Sequence, residues 1–283
     1  MTHHVQQLRR IASGGPLESF EPYFAARNID RHVITDPSLK CDGYLTPLGS
    51  DYGSGFKMFV KQTTSTSRAR FTISHEICHT FFYQLVPELK FIPHDVDDAE
   101  ERLCNAGAAE LLMPSEDLRI QPEAAFPSFT SLENLAAHYK VSLEAMALRL
   151  RALGLWQCEI SVWHQKSSGA FVLERFHGKD RQDWRWTSDS DLQLAWDRKR
   201  GQVLSGTTFV HCRNAKNMTY TKRVNYQVKR CGENIFALWS PRAFSMALPL
   251  FAKKTARKKI IKESPPAPSP PSAPAPPAGH TAP

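Results

Sequence analysis

The sequence lacks the long apolar runs that membrane proteins need. No stretch approaches the ~18 consecutive apolar residues with which a helix spans a bilayer. The first ten residues, MTHHVQQLRR, also lack the apolar core of a secretory signal peptide. We therefore expect a cytoplasmic protein that makes no contact with a membrane.

Closely spaced cysteine pairs are missing as well. The six cysteines, at positions 41, 78, 104, 158, 212 and 231, include no Cys-x-x-Cys pair. A small disulfide-stapled domain would carry its cysteines as a compact framework, which this chain does not. Reduced thiols in a reducing compartment are therefore the expected state.

The chain does contain enough apolar material for proper cores. Its 283 residues are 41% hydrophobic and 23% charged, which suits one large or two ordinary domains. The formal net charge of +8 is uneven: six basic residues between positions 253 and 262, less Glu263, contribute +5 of it. Nine of the last nineteen residues are proline, so residues 251–283 are expected to form a disordered tail.

The most informative stretch is residues 70–83, RFTISHEICHTFFY, which holds a His-Glu-x-x-His motif in a helix-compatible run. Positions four apart lie on one face of a helix, so His75 and His79 can present two imidazoles to one tetrahedral ion. Glu76 is then turned toward a bound water. The motif outlines a zinc hydrolase site, and a helix with two incidental histidines is the alternative.

A third ligand is expected downstream, in residues 97–114, DDAEERLCNAGAAELLMP. The acidic start, the body rich in Ala and Leu, and the terminal Pro predict a helix of about four turns. Glu101 shares a stripe of this helix with Asn105 and Ala108. Its carboxylate could complete a zinc site made of two His and one Glu.

Neighbouring glutamates leave the identity of this ligand open. Glu100 stands three residues after Asp97, where it can close a capping box at the start of the helix. A cap at Asp98 would give that role to Glu101 instead. We favour Glu101 as the ligand, with Glu100 as the alternative and Glu110 as a distant third.

Three blocks of sequence carry a resemblance to the ImmA/IrrE metallopeptidases. In order, they are RARFTISHEICH (68–79), ERLCN (101–105) and AAELLMP (108–114). The resemblance implies a zincin-like peptidase domain in which His75, His79 and Glu101 hold zinc. It also implies that Glu76 is the general base.

Two residues depart from the pattern of that family. Cys78 stands where a small residue is usual before the second His, and Gly107 stands where an aromatic residue is usual. Neither departure removes a ligand. Gly107 weakens its helix by about 1 kcal/mol relative to Ala, so the packing at that position is expected to differ.

Two further segments complete the predicted peptidase domain. Residues 56–61, FKMFVK, alternate as a strand does; the edge of such a strand could bind an extended peptide, or the strand could only cover the core. Residues 129–155 predict two amphipathic helices, the first with a capping box from Thr130 to Glu133. The pair resembles a DNA-reading helix-turn-helix in which Arg149 and Arg151 could contact phosphate, but the family resemblance assigns it to the peptidase domain.

Beyond residue 155 the helical period stops. Short stretches that alternate or are rich in β-branched and aromatic residues follow, separated by turns that contain Gly. Interleaved basic and aromatic residues, such as Arg181, Trp184 and Lys222, fit a surface for nucleic acid or an acidic partner. A solvated edge with buried tryptophans is the simpler interpretation.

The sequence as a whole predicts an α+β protein of three parts. Residues 1–155 form a zincin-like metallopeptidase domain, built from a strand, active-site helices and a helix pair. Residues 156–250 form a β-rich domain of unknown role, and residues 251–283 form the basic, Pro-rich tail.

The function that these features favour is intracellular, zinc-dependent proteolysis. The resemblance implies a metalloendopeptidase that makes limited, site-specific cuts in a protein substrate, such as a helix-turn-helix repressor in a stress or mobile-element response. The alternative is a DNA-binding regulator or adaptor that uses the helix pair or the basic β domain, with the zinc fold as scaffold. Glu76 argues against it, because a scaffold has no use for a general base. Contact between nucleic acid and the basic tail is compatible with both functions, the peptidase and the DNA-binding regulator or adaptor.

Overall fold

The computed structural model describes residues 1–11, 17–49, 54–63, 65–83, 98–178, 185–186, 189–197, 201–213 and 219–240. The helices are α1 (Thr2–Ile11), α2 (Glu21–Ala26), α3 (Thr66–Tyr83), α4 (Asp98–Leu112), α5 (Ser115–Ile120), α6 (Phe129–Tyr139), α7 (Leu143–Ala152) and α8 (Asp189–Asp197), with a short 3-10 helix at Pro122–Ala125. The strands are β1 (Ile34–Asp36), β2 (Gly43–Pro47), β3 (Phe56–Lys61), β4 (Glu159–Gln165), β5 (Phe171–His177), β6 (Arg185–Trp186), β7 (Val203–Arg213), β8 (Thr219–Cys231) and β9 (Asn234–Ser240).

This mixture of helices and sheets confirms the α+β class and the β-rich character of the second half. Met1–Ala247 form one compact unit. The tail predicted for residues 251–283 lies outside the described residues. No helix in the described ranges has the length and apolar character needed to cross a membrane.

A small three-stranded sheet lies beside the helices, in the order β1-β3-β2. The predicted strand at residues 56–61 is present as β3, and its alternation is that of a sheet with one buried face, on which Phe56, Met58 and Val60 lie. However, β3 pairs with β1 on one side and with β2 on the other. The expectation that its edge could bind a peptide is therefore wrong, since both edges are occupied.

Helices α3 and α4 pack directly against each other. Cys78 of α3 and Cys104 of α4 lie near each other at this contact, and both side chains are fully buried. A Cβ atom at Gly107 would lie 2.6 Å from Cys78 Sγ and 2.7 Å from Met1 Cγ. The two departures from the family pattern therefore meet each other, since the Cys78 thiol fills the space that the missing side chain of Gly107 leaves.

The helix pair forms as predicted, but its first cap is different. The Oγ atom of Ser128 accepts a hydrogen bond from the backbone N–H of Ser131 at 3.0 Å, so the N-cap of α6 lies two residues earlier than the predicted cap at Thr130. The capping box from Thr130 to Glu133 is therefore wrong. Glu133 instead forms an ion pair with Lys229 of β8.

The second helix of the pair is anchored to α4 through Arg149. Its guanidinium group pairs with Glu110, whose side chain is 2% exposed, and its Nε donates to the carbonyl of Met113 at 3.0 Å. Glu110 also accepts hydrogen bonds from the backbone N–H and the hydroxyl of Ser115. Because breaking such a buried pair is costly, Arg149 holds the two helices together and is not available to contact a DNA phosphate.

The second half of the compact unit is a six-stranded antiparallel sheet, in the order β5-β4-β9-β8-β7-β6. One face contributes Ile160, Val162, Phe236 and Leu238 to the same core as the zinc-motif helices. The opposite face forms a separate core with α8. The division predicted between residues 155 and 156 remains a prediction, and the two halves share a hydrophobic core.

One hydroxyl group accepts the hydrogen bonds of two buried tryptophans of the sheet. Ser161 Oγ accepts hydrogen bonds from the indole N–H groups of Trp163 (2.8 Å) and Trp239 (2.7 Å). Among the basic residues of this sheet, Arg230 lies over the Trp196 ring at 3.7 Å. The run from Arg181 to Trp184, which suggested a nucleic-acid surface, lies outside the described residues.

The contact between Cys78 and Gly107 gives a stability prediction. We expect Gly107→Ala to lower the free energy of unfolding of the metal-free protein, because crowding the thiol costs about 1–3 kcal/mol. That cost exceeds the gain of about 1 kcal/mol in helix propensity. In a Cys78→Ala background, the same substitution should cost less, although Met1 Cγ, at 2.7 Å, still crowds the added methyl group. Denaturant unfolding of the four proteins in this double-mutant cycle measures the coupling. Additive effects would contradict the contact.

Candidate metal centre

The two histidines of the motif converge at the cavity-facing side of α3. Because they lie one turn apart, the Nε2 atoms of His75 and His79 are only 3.0 Å from each other. Burial lowers the pKa of His75, the adjacent His79 lowers it further, and Glu101 opposes both effects. His75 is therefore neutral near pH 7, which is the form of imidazole that binds a metal ion.

Glu101 brings the third donor from α4. Its Oε2 atom lies 3.3 Å from Nε2 of His75, and its Oε1 atom lies 3.6 Å from Nε2 of His79. Donor atoms at about 2.0–2.2 Å from one tetrahedral ion are about 3.3–3.6 Å apart. The two distances to Glu101 match this spacing, whereas the two Nε2 atoms, at 3.0 Å, are closer and would have to separate slightly around an ion. The three side chains form a group that could hold a metal ion, and two imidazoles with one carboxylate are a donor set that suits zinc.

Glu100 contacts the other nitrogen of His79. Its Oε1 atom lies 2.7 Å from Nδ1 of His79, and both side chains are buried. An ionised carboxylate only accepts hydrogen bonds, so Nδ1 of His79 carries the proton and donates a hydrogen bond to Glu100. The lone pair of His79 Nε2 then faces His75 and Glu101. The two neighbouring glutamates thus have different positions, with Glu101 at the donor cluster and Glu100 behind it.

Glu76 lies beside this donor cluster in a nearly closed environment. The side chain lines the same cavity as the histidines but is only 5% exposed. Burial raises the pKa of Glu76 to about 8, and the nearby charge of Glu101 adds to the increase. A divalent cation in the cluster would act in the opposite direction, because it favours the ionised carboxylate.

The backbone of β2 passes close to Glu76 at Gly43. A Cβ atom at this position would lie 2.6 Å from Thr72 Cγ2 and 3.0 Å from Glu76 Oε1. Only glycine allows the strand to come this close. Sequence reasoning did not single out Gly43, although a Gly within a strand commonly marks a close backbone approach.

The cavity at the donor cluster has a volume of about 490 Å³. The beginning of β2 borders it on one side, and Phe71, Tyr83 and Asn105 line other parts of the wall. The Tyr83 ring stacks on the ring of His79, with centroids 6.2 Å apart. A volume of this size accommodates a segment of peptide or a small ligand.

The two buried cysteines near the site lie away from the cavity. Burial raises the pKa of Cys78 to about 12, and it also raises the pKa of Cys104. Cys104 can form a second donor group with His79 and Glu100, but it does not line the cavity. Two protonated, enclosed thiols are poor candidates for a zinc contact, and the group that opens on the cavity is His75, His79 and Glu101.

Comparison with protein-family models gives one match. The peptidase family M78, described as the IrrE N-terminal-like domain, matches residues 45–151. The match contains the histidine motif and all three glutamates of α4, and Gly43 lies just outside it. It confirms the resemblance to the ImmA/IrrE family over this segment, and it indicates a metallopeptidase-type function.

Other comparisons give little on function. A solved structure of a Mycobacterium tuberculosis transcriptional regulator has 11% sequence identity and a TM-score of 0.49, over 84% of this chain and 74% of that chain. A similarity at this level carries no functional argument. No curated protein matches the sequence.

The separate positions of the two glutamates give a metal-binding prediction. We expect Glu101→Ala to abolish stoichiometric zinc binding. Glu100→Gln should keep the zinc but weaken its affinity by about 10–100-fold, because the hydrogen bond that orients His79 loses its charge. Elemental analysis and chelator competition measure both effects. The exposed Glu116 of α5 provides the matched control Glu116→Gln. Loss of zinc in Glu100→Gln alone would reverse the two assignments.

Proposed function

We propose that the chain is a zinc-dependent metalloendopeptidase, with His75, His79 and Glu101 as the zinc ligands and Glu76 as the general base. The observation that carries the proposal is the position of Glu76. It is a buried carboxylate beside two imidazoles and a third donor, in one cavity that an edge strand borders. A purely structural metal site requires no such carboxylate, and it is normally closed by four protein ligands.

The chemistry divides among the residues of the cavity. When bound, zinc would supply Lewis acidity to the scissile carbonyl and to the attacking water. Glu76 accepts the proton of that water and later donates it to the nitrogen of the leaving amine. Glu100 keeps the proton of His79 on Nδ1, so that Nε2 stays directed at the donor cluster.

The geometry favours an extended peptide as the substrate. Among the described strands, β2 is an edge of its sheet, and its beginning borders the cavity. An extended peptide can add to such an edge through backbone hydrogen bonds, with its scissile bond beside Glu76. In a folded substrate only an exposed or locally unfolded segment can adopt this form, which limits cleavage to one or a few bonds.

A helix-turn-helix repressor is the substrate type that the family resemblance suggests, in a stress or mobile-element response. We include this type in the proposal, together with a cytoplasmic location. The alternative function, a DNA-binding regulator or adaptor, receives less support. Of the two arginines that could contact phosphate in that interpretation, Arg149 and Arg151, the first is paired with Glu110 between two helices.

The proposed general base gives a prediction on hydrolysis. We expect Glu76→Gln to retain about one zinc ion per chain and to lose peptide-bond hydrolysis by about 10²–10⁴-fold, because the amide cannot accept the proton. Metal analysis is combined with mass spectrometry of new protein termini, after incubation with the soluble proteins of the cell. Loss of zinc or undiminished cleavage would contradict the assignment. Widespread cuts would indicate a housekeeping peptidase, and no zinc-dependent cut would favour the regulator.

The close approach of the Gly43 backbone to Glu76 gives a further prediction. We expect Gly43→Ala to leave zinc stoichiometry unchanged and to slow hydrolysis by up to about 10²-fold, because the added methyl group displaces Glu76 or the edge strand. Gly206→Ala in β7 is the matched control. Its Cβ would crowd the Tyr226 hydroxyl at 2.5 Å, within the other sheet. Equal loss of activity in both variants would show that crowding alone, and not the position of Glu76, is responsible.

A further inference from the structure

An apolar groove lies between α4 and α7, beside the metal centre. We call it the α4–α7 groove, and its volume is about 480 Å³. Its apolar lining consists of Phe71, Ala106, Ala109, Met113, Ala145, Leu148 and Ala152. Ala106 and Ala152 are exposed, and Leu148 is half-buried, so the floor of the groove is accessible within the described parts of the chain.

The groove is continuous with the cavity of the metal centre. Phe71, on the helix of the zinc motif, lines both. A depression between them shares Asp42 and Thr72 with the cavity and shares Met113 and Ala145 with the groove. The groove is therefore adjacent to the cavity, on the side of the beginning of β2.

The charged residues at the rim of the groove have partners of their own. Arg149 is paired with Glu110 on the inner side of the groove. Glu144 Oε1 accepts hydrogen bonds from Arg175 Nε at 2.9 Å and from His177 Nε2 at 2.8 Å. With these charges engaged, the chemistry that the groove offers to a ligand is apolar contact.

We propose that the α4–α7 groove is the specificity subsite of the peptidase, and that it takes an apolar side chain of the substrate at a fixed distance from the scissile bond. This inference rests on the proposed function. It goes beyond that function because it states the class of sequence that is cut: a segment with a large aliphatic or aromatic residue on one side of the cleaved bond. Burial of that side chain favours such a segment over a polar one.

The test uses the zinc-loaded full-length protein and a library of short randomised peptides, in two arms. In the first, mass spectrometry of products gives the residue preference around the cut. In the second, Glu76→Gln captures uncut peptides, so binding is measured without hydrolysis. Both arms are repeated with Ala106→Glu and Ala106→Lys, and with Ala137→Glu, an exposed Ala of α6 outside the groove.

We expect Leu, Ile, Met or Phe to be enriched at one fixed position in both arms. Ala106→Glu should reduce that enrichment by about tenfold and select Lys or Arg there, and Ala106→Lys should select Asp or Glu. Ala137→Glu should match the parent protein. A general loss of stability could lower activity, but it could not exchange the preferred charge.

The outcomes separate this inference from the proposed function. Cleavage without an apolar preference, or with one that both Ala106 variants leave unchanged, overturns the subsite and leaves the peptidase intact. Capture of peptides with an apolar residue but no cleavage by the parent protein contradicts the peptidase and therefore overturns the specificity subsite as well, and it leaves the groove as an apolar peptide-binding site only. Neither cleavage nor capture overturns both. An altered oligomeric state in Ala106→Glu with unchanged peptide preference would assign the groove to a second copy of the chain.

Discussion

The packing of α3 against α4 is the contact on which the rest of the site depends. The histidines lie on one helix and the glutamates on the other, so no donor cluster exists until the two helices are in contact. The buried contact between the Cys78 thiol and Gly107 matches the surfaces of the two helices at their closest point. A protein interior is close-packed, so a change of one methyl group there would shift the carboxylates relative to the imidazoles. In this chain the two positions that depart from the family pattern are therefore one compensating feature.

A second consequence of this packing is the division of work between neighbouring glutamates. Successive residues of a helix are about 100° apart around its axis, so Glu100 and Glu101 cannot have the same environment. One is buried against Nδ1 of His79 and the other faces the cavity beside both Nε2 atoms. Glu76 is buried beside the same donor cluster, and burial together with the nearby charge of Glu101 raises its pKa to about 8.

The six-stranded sheet stabilises the site from a distance. Its inner face belongs to the hydrophobic core of the zinc-motif helices, and Lys229 of β8 pairs with Glu133 of α6. The helix pair in turn is held to α4 by the buried pair of Arg149 and Glu110. The elements that carry the candidate donor side chains are thus supported on several sides, as a site that holds its donors within a fraction of an ångström requires. The same arrangement leaves the α4–α7 groove open beside the site.

The sequence by itself determined the features that depend on local spacing. The helix with His75 and His79, the following helix with its acidic start, the helix pair and the strand at residues 56–61 all follow from periodicity and end signals, which act over a few residues. Only the tertiary structure decided which strand borders the cavity, which glutamate faces which nitrogen of His79, and that Gly43 touches Glu76. These features join residues that are far apart in the chain, and nothing in local periodicity specifies such a contact. The cap of α6 was misjudged for a related reason. The side chain of Glu133 pairs with Lys229 of β8, which is nearly a hundred residues away in the chain.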